Sequence, residues 1–100
     1  MEKTVFLPLL HTEFRVHAGP PEPVPLTLVE VSDLMRTPGG EPRRGKRGFS
    51  LMFKGARTNF LPQSMYRIEH EALGPFELFL VPIVPDDDQS FSYEAIFNFL

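Results

Sequence analysis

The sequence predicts a small all-β domain, an antiparallel barrel or sandwich of about six strands with a long basic loop. Short segments alternate apolar and polar residues, which is the two-residue period of a strand. Eleven Pro and seven Gly in 100 residues interrupt the chain too often for long helices. No helical spacer separates the strands, so neighbouring strands should pair antiparallel. Residues 1–100 are therefore expected to form one domain.

The N-terminal segment and the first strand open the chain. Residues 4–10 are compatible with a short helix, capped by Thr4, whose apolar face consists of Phe6, Leu7 and Leu10, and an extended segment fits nearly as well. Residues 12–18 predict a strand with Phe14, Val16 and Ala18 on one face. The segment 19–23, GPPEP, can be neither helix nor central strand and predicts a stiff connection.

A second strand and the basic loop follow. Residues 24–35 predict a strand whose apolar positions change parity between Leu28 and Val29, which indicates a bulge or burial of both faces. Residues 36–48, RTPGGEPRRGKRG, contain no apolar side chain and predict an exposed, mobile loop. Residues 36–58 carry seven basic side chains and one acidic, although the whole chain has a net charge of −3.

The stretch from Leu61 to Ile83 is predicted to be the hairpin around which the other strands pair. Its strands are expected at 64–71 and 75–84, joined by a turn at Gly74-Pro75. The remaining strands are expected at 49–54 and 92–99, with turns or connections at 55–63 and 85–90. The second hairpin strand is apolar on both faces, as is typical of a strand that is covered on both sides.

One face of this strand and of the last strand is predicted to be an interaction surface. If Phe76, Leu78 and Leu80 point into the core, the apolar residues of opposite parity point outward. The predicted interaction face consists of Phe79, Val81, Ile83 and Ile96. Such a patch is unusual on a free surface, so either the N-terminal segment or a second chain should cover it.

Chemical motifs are scarce. The chain has no Cys, which excludes disulfides, thiolate metal sites and Cys nucleophiles. The histidines, His11, His17 and His70, lack metal-ligand spacing, although His17 and His70 could meet on neighbouring strands. Asp86-Asp87-Asp88 lacks the spacing of a calcium loop. No metal, cofactor or catalytic residue is predicted, and an enzyme would need a pocket that holds Tyr66, His70 and a carboxylate such as Glu94.

The basic loop is the most distinctive polar feature. Its cationic cluster, which we expect to contact an anion or a partner, consists of Arg43, Arg44, Lys46 and Arg47. No aromatic residue is interleaved for base stacking, and the overall charge is negative. These features disfavour nucleic acid as the ligand and leave an anionic ligand or an acidic protein partner open.

The C-terminal half contains three distinctive motifs: Leu61-Pro62-Gln63 with Tyr66 and His70, Leu73-Gly74 with Phe79-Leu80-Val81-Pro82, and Tyr93-Glu94-Ala95 with Asn98. In these motifs the chain resembles a family of small bacterial proteins to which no activity is assigned. The likeness spans roughly residues 12–98 and is strongest from Phe49 onward. It implies a bacterial origin and a small β domain, and it brings no catalytic residue with it.

We therefore expect a non-enzymatic interaction or assembly module that associates with a protein partner or with itself. The alternatives are a binder of an anionic ligand or nucleic acid through residues 36–48 and, third, a small hydrolase-like enzyme. No stretch approaches the ~20 apolar residues of a membrane span, and no convincing signal peptide is present. The expected location is the cytoplasm, with no membrane contact.

Overall fold

The computed structural model describes residues 2–19, 23–33, 47–56, 60–83 and 90–99. A one-turn helix, α1, spans Lys3–Phe6 and continues into a 3₁₀ turn at Leu7–Leu9. The strands are β1 (Glu13–His17), β2 (Val24–Asp33), β3 (Arg47–Ala56), β4 (Ser64–His70), β5 (Gly74–Ile83) and β6 (Ser90–Phe99).

The six strands form a closed antiparallel barrel in the order β1-β2-β3-β6-β5-β4. This confirms the predicted all-β fold and decides between the two predicted architectures in favour of the barrel. The predicted hairpin is β4 and β5, whose register runs from Ser64 opposite Leu80 to His70 opposite Gly74. Gly74 has a φ of 74°, a left-handed conformation that glycine adopts without the steric penalty of a Cβ.

One strand prediction is confirmed in its irregularity, and another differs clearly in its bounds. Of the two explanations for the change of parity in β2, the bulge is confirmed, because the register with β3 shifts between Leu28 and Glu30. Strand β3, however, begins at Arg47 rather than at Phe49 and continues to Ala56. Alternation of apolar residues cannot detect these extensions, since Gly48 and Gly55 interrupt the pattern while their backbones still pair with β6.

The barrel interior is filled mainly by aromatic and branched side chains from alternating strand positions. Fully or nearly fully buried are Phe14, Val16, Leu26, Leu28, Phe49, Leu51, Phe53, Ile68, Leu78, Leu80, Tyr93 and Ala95. This confirms the predicted inward faces of β3 and β5 and, in β1, those of Phe14 and Val16, whereas Ala18 lies beyond the end of β1 and is exposed. At Gly55 a Cβ would lie 2.5 Å from the Leu26 Cδ2 atom, so the backbone there is pressed against the core.

Residues outside the strands close the two ends of the barrel. At one end, here called the α1 end, Phe6 is fully buried and its ring lies 5.5 Å from that of Phe97 and 5.8 Å from that of Phe49. At the other end Leu61 is 2% exposed, and its backbone N–H donates to the Tyr93 hydroxyl at 3.0 Å. Each end is thus sealed by an apolar side chain that enters the core from outside the sheet.

The predicted N-terminal helix is only partly correct. Glu2 rather than Thr4 occupies the cap position, and α1 has only four residues because the chain tightens into the 3₁₀ turn at Pro8. Phe6 enters the barrel, whereas Leu7 remains 42% exposed, so the predicted shared apolar face does not form. Of the two coverings considered for the outer sheet face, the one by this segment is not found, because Phe6 packs inside the barrel.

Strands β5 and β6 pair over a short distance. Within the described residues their pairing covers Val81 to Ile83 on β5 and Ser92 to Glu94 on β6. Beyond these positions, towards the α1 end, the strands diverge although β5 continues to pair with β4 and β6 with β3. The Phe6 ring lies between the inner sides of the diverging strands, 6.3 Å from Phe76 and 5.5 Å from Phe97.

Candidate interaction surface

The clearest candidate site is an apolar stripe on the outside of the barrel. Within the described ranges, five large apolar side chains are strongly exposed, and three of them lie on the adjacent strands β4, β5 and β6. These three, the outer stripe, are Met65 at 57%, Phe79 at 44% and Ile96 at 51% exposure. The other two, Leu7 and Phe60, lie outside the strands.

Strand register brings the members of the outer stripe together. Met65 is the direct cross-strand partner of Phe79 in the β4–β5 hairpin. Val81 is opposite Glu94, and Ile96 follows Glu94 by two residues on the same outer face of β6, where β5 and β6 begin to diverge. Side chains of neighbouring strands that face the same side are close enough to form one surface. Of the predicted interaction face, Phe79 and Ile96 are exposed, whereas Val81 and Ile83 are half-buried.

The sequence prediction missed Met65. The observed register of the hairpin is centred on Ala72, with His70 opposite Gly74, and it brings Met65 opposite Phe79. Counting outward from Leu73-Gly74 in the predicted turn would have placed Met65 opposite Pro82 instead. The apolar pattern of the strand from Ser64 to His70 by itself assigns Met65 to the same face as Arg67 and Glu69, which are polar. The register of the β4–β5 hairpin, rather than the periodicity within β4, therefore places Met65 next to Phe79.

Three charged side chains flank the outer stripe, namely Arg67, Glu77 and Glu94. Arg67 is opposite Glu77, two residues from Phe79 in one strand direction. Glu94 is opposite Val81, two residues from Phe79 in the other direction. Within the part of the chain that the structure describes, neither Arg67 nor Glu94 forms an ion pair.

The predicted cationic cluster lies almost entirely outside the described residues. Arg43, Arg44 and Lys46 fall in the segment 34–46, which the structure does not describe. Arg47 is the first residue of β3, where its backbone pairs with Phe99. The last two residues of the predicted loop 36–48 thus belong to β3, and the predicted loop residues 36–46 and Asp86–Asp88 lie outside the described ranges.

His70 belongs to a structural network at the α1 end. Its Nδ1 atom accepts a hydrogen bond from the Ala72 backbone N–H at 2.9 Å, so the ring proton is on Nε2. Nε2 then donates to the Thr12 hydroxyl at 2.9 Å, and this hydroxyl donates to the Leu9 carbonyl at 2.6 Å. His70 is 7% exposed, and burial lowers its pKa. The network joins the β4–β5 turn to the chain that follows α1.

The residues considered for metal binding or catalysis are not brought together. His17 contacts Glu69 on the outside of the barrel, while His70 is inside, so the predicted meeting of His17 and His70 is wrong. Among the described residues, no group of three or more His, Asp or Glu side chains could hold a metal ion.

Tyr66 is also engaged locally. Its hydroxyl donates to the Pro62 carbonyl, and it lies four residues from His70 along β4, about 13 Å at the usual strand rise. Burial raises the pKa of Tyr66, with a smaller contribution from Tyr93. Glu94 belongs to the outer surface beside Val81. These three side chains do not form the pocket that an enzyme would need.

Comparison with known proteins identifies the family. A family model described as "Domain of unknown function (DUF6916)" matches residues 1–97, and the chain therefore belongs to this family. The predicted relationship to a family without assigned activity is thus confirmed. No curated protein and no solved structure matches the chain. No helix in the described ranges is long and apolar enough to cross a membrane.

Proposed function

We propose that this family member is a protein-interaction module that docks another protein surface through the outer stripe. The observation that carries the proposal is the two-sided apolar character of β5. Leu78 and Leu80 are buried in the core, while Phe79 between them is 44% exposed on the outside. A strand with one face in water normally alternates with polar residues on that face. The apolar side chain of Phe79, with Met65 and Ile96 on the neighbouring strands, therefore supports the view that a protein partner covers the outer face of β5 as well.

The chemistry of the described polar groups supports a non-enzymatic role. His70 uses both ring nitrogens in structural hydrogen bonds. The Tyr93 hydroxyl accepts from the Leu61 N–H inside the barrel, and the Tyr66 hydroxyl donates to Pro62. Each of these groups stabilises the ends or connections of the barrel, so none of them is available as an acid, base or nucleophile.

A photo-reactive amino acid at position 79 tests the proposal. In cells, cross-linking from this position should give one defined protein adduct. The same amino acid at Thr27, an exposed site on β2 across the barrel, is the matched control and should give no such adduct. An equal adduct pattern from both positions, or no adduct from position 79, would show that the outer stripe is not a docking surface.

The alternative of anion binding through residues 36–48 remains a prediction from the sequence. Its test is replacement of Arg43, Arg44, Lys46 and Arg47 by Ser, which should weaken binding to any anionic partner and leave the melting temperature nearly unchanged. Binding at low salt that survives this replacement would exclude the cluster as the contact. A bacterial origin and a cytoplasmic location likewise remain expectations.

A further inference from the structure

The geometry points to a second copy of this chain as the protein that covers the outer stripe, in a symmetric dimer with Phe79 on the two-fold axis. This inference rests on the proposed function and specifies its partner. Cyclic two-fold dimers are the commonest oligomers, and their interface must be self-complementary, since the same surface supplies both sides. The question is therefore whether this face is complementary to itself.

The charges on either side of the outer stripe meet this requirement. Arg67 and Glu94 lie on opposite sides of Phe79, each one strand away and two residues along. Arg67 is thus a diagonal neighbour of Phe79 at about 8 Å, and Glu94 takes the diagonal position on the other side, where β5 and β6 begin to diverge. The three positions form one line across the sheet, and its two ends are opposite in charge.

A two-fold axis that lies in the interface, perpendicular to this line, makes the charges reciprocal. It places Arg67 of one copy against Glu94 of the second copy and, by symmetry, Glu94 of the first against Arg67 of the second. The Phe79 rings meet at the centre, and Met65 and Ile96 of each copy flank Phe79 of the other. An axis parallel to the strands would instead bring the two Glu77 side chains together, because Glu77 is on the same strand as Phe79.

This arrangement resembles known interface anatomy, with an apolar centre and a polar rim. The centre consists of only three side chains from each copy, so the contact belongs to the small, reversible class of interfaces. Neither Arg67 nor Glu94 has an ion-pair partner within the described part of its own chain, so pairing across the interface would not break an existing contact.

Charge reversal tests the dimer. Sedimentation velocity of the full chain, at concentrations from about 10 μM to 1 mM, should show a monomer–dimer equilibrium of the weak class. Arg67→Glu and Glu94→Arg should each weaken dimerisation by at least about tenfold, because each places like charges at two symmetric positions. The double variant should return to within roughly threefold of wild type, since it restores both pairs in reverse.

Glu30→Arg is the control, because Glu30 is exposed on β2, across the barrel, and should leave the equilibrium unchanged. Unchanged melting temperatures show that the variants are folded. A wild-type chain that stays monomeric throughout the series overturns the inference, and so does a double variant no better than the single ones. If the chain is monomeric and position 79 still cross-links a different protein, the docking surface stands and the second copy does not.

Discussion

At the scale of single residues, His70 shows how a titratable group can be held neutral by geometry. The Ala72 N–H occupies the lone pair of Nδ1, so a proton added there would face another donor. Burial, followed by the Arg15 charge on β1, lowers the pKa of His70, while Glu71 in the turn acts in the opposite direction. The segment after α1 contributes only neutral groups, the Leu9 carbonyl and the Thr12 hydroxyl.

This arrangement predicts acid sensitivity. Because the pKa of His70 in the folded chain lies below its value of 6.5 in an unfolded chain, the unfolded state binds more protons as the pH falls below 6.5. The stability from neutral His70 is therefore complete above this pH and decreases below it, down to the folded pKa. Urea unfolding between about pH 8 and pH 5 should show this decrease.

Replacement of the His70 imidazole tests whether this residue causes the acid sensitivity. His70→Gln should show a smaller loss of stability between about pH 6.5 and pH 5 than wild type, because the group that takes up the proton is gone. His11→Asn is the control, since His11 is exposed and Asn tolerates its φ of 67°. An identical pH dependence in wild type and His70→Gln would assign the acid sensitivity to other groups.

Adjacent residues of β5 should differ sharply in their contribution to stability. Leu80 is completely buried and Phe79 is 44% exposed on the opposite face. Leu80→Ala should lower the free energy of unfolding by roughly 2–5 kcal/mol, because it leaves a cavity in the core. Phe79→Ala should change it by less than about 1 kcal/mol, measured on the monomer. Similar losses in both variants would mean that the faces of β5 are wrongly assigned.

At the scale of elements, α1 is a plug rather than an independent helix. Four residues are far too few for a stable helix in water, so the segment is held by tertiary contacts. Phe6 contacts Phe14, Phe49, Phe76 and Phe97, which belong to four different strands. Its ring fills the place where β5 and β6 diverge.

This role of α1 predicts that two neighbouring residues contribute very differently to the free energy of unfolding. Phe6→Ala should lower the free energy of unfolding by roughly 3–5 kcal/mol, since it removes a fully buried ring. Leu7→Ala should cost less than about 1 kcal/mol, because Leu7 is 42% exposed. Denaturant unfolding of both variants measures the difference. Equal, small losses would place the N-terminal segment outside the core.

Features that depend on neighbouring residues in the sequence could be predicted, whereas features that depend on contacts between distant segments could not. The alternation of Phe49, Leu51 and Phe53 is local, and it correctly indicated a strand and its inner face. The insertion of Phe6 and Leu61 into the barrel ends depends on where distant strands close, which no periodicity records. The position of Met65 beside Phe79 required register, and the β2 bulge was visible because it shifts parity within a single strand.

At the scale of the whole molecule, the barrel presents two apolar sets of side chains, one inside and one on the outer stripe. The inner set is covered on all sides, since apolar side chains close both ends of the barrel. Among the described residues, no buried polar side-chain atom lacks a hydrogen-bond partner. Surface contact with a second copy would complete the outer set. The central claim is therefore that Phe79 faces Met65 and Ile96 of another chain.

The most direct measurement is an isotope-filtered NOE experiment on an equal mixture of labelled and unlabelled chains at high concentration. The Phe79 ring protons of one copy should show intermolecular contacts to the Met65 and Ile96 methyl groups of the other, and Thr27 on β2 should show none. Intermolecular contacts confined to other surfaces, or none at a concentration where sedimentation shows a dimer, would contradict the claim.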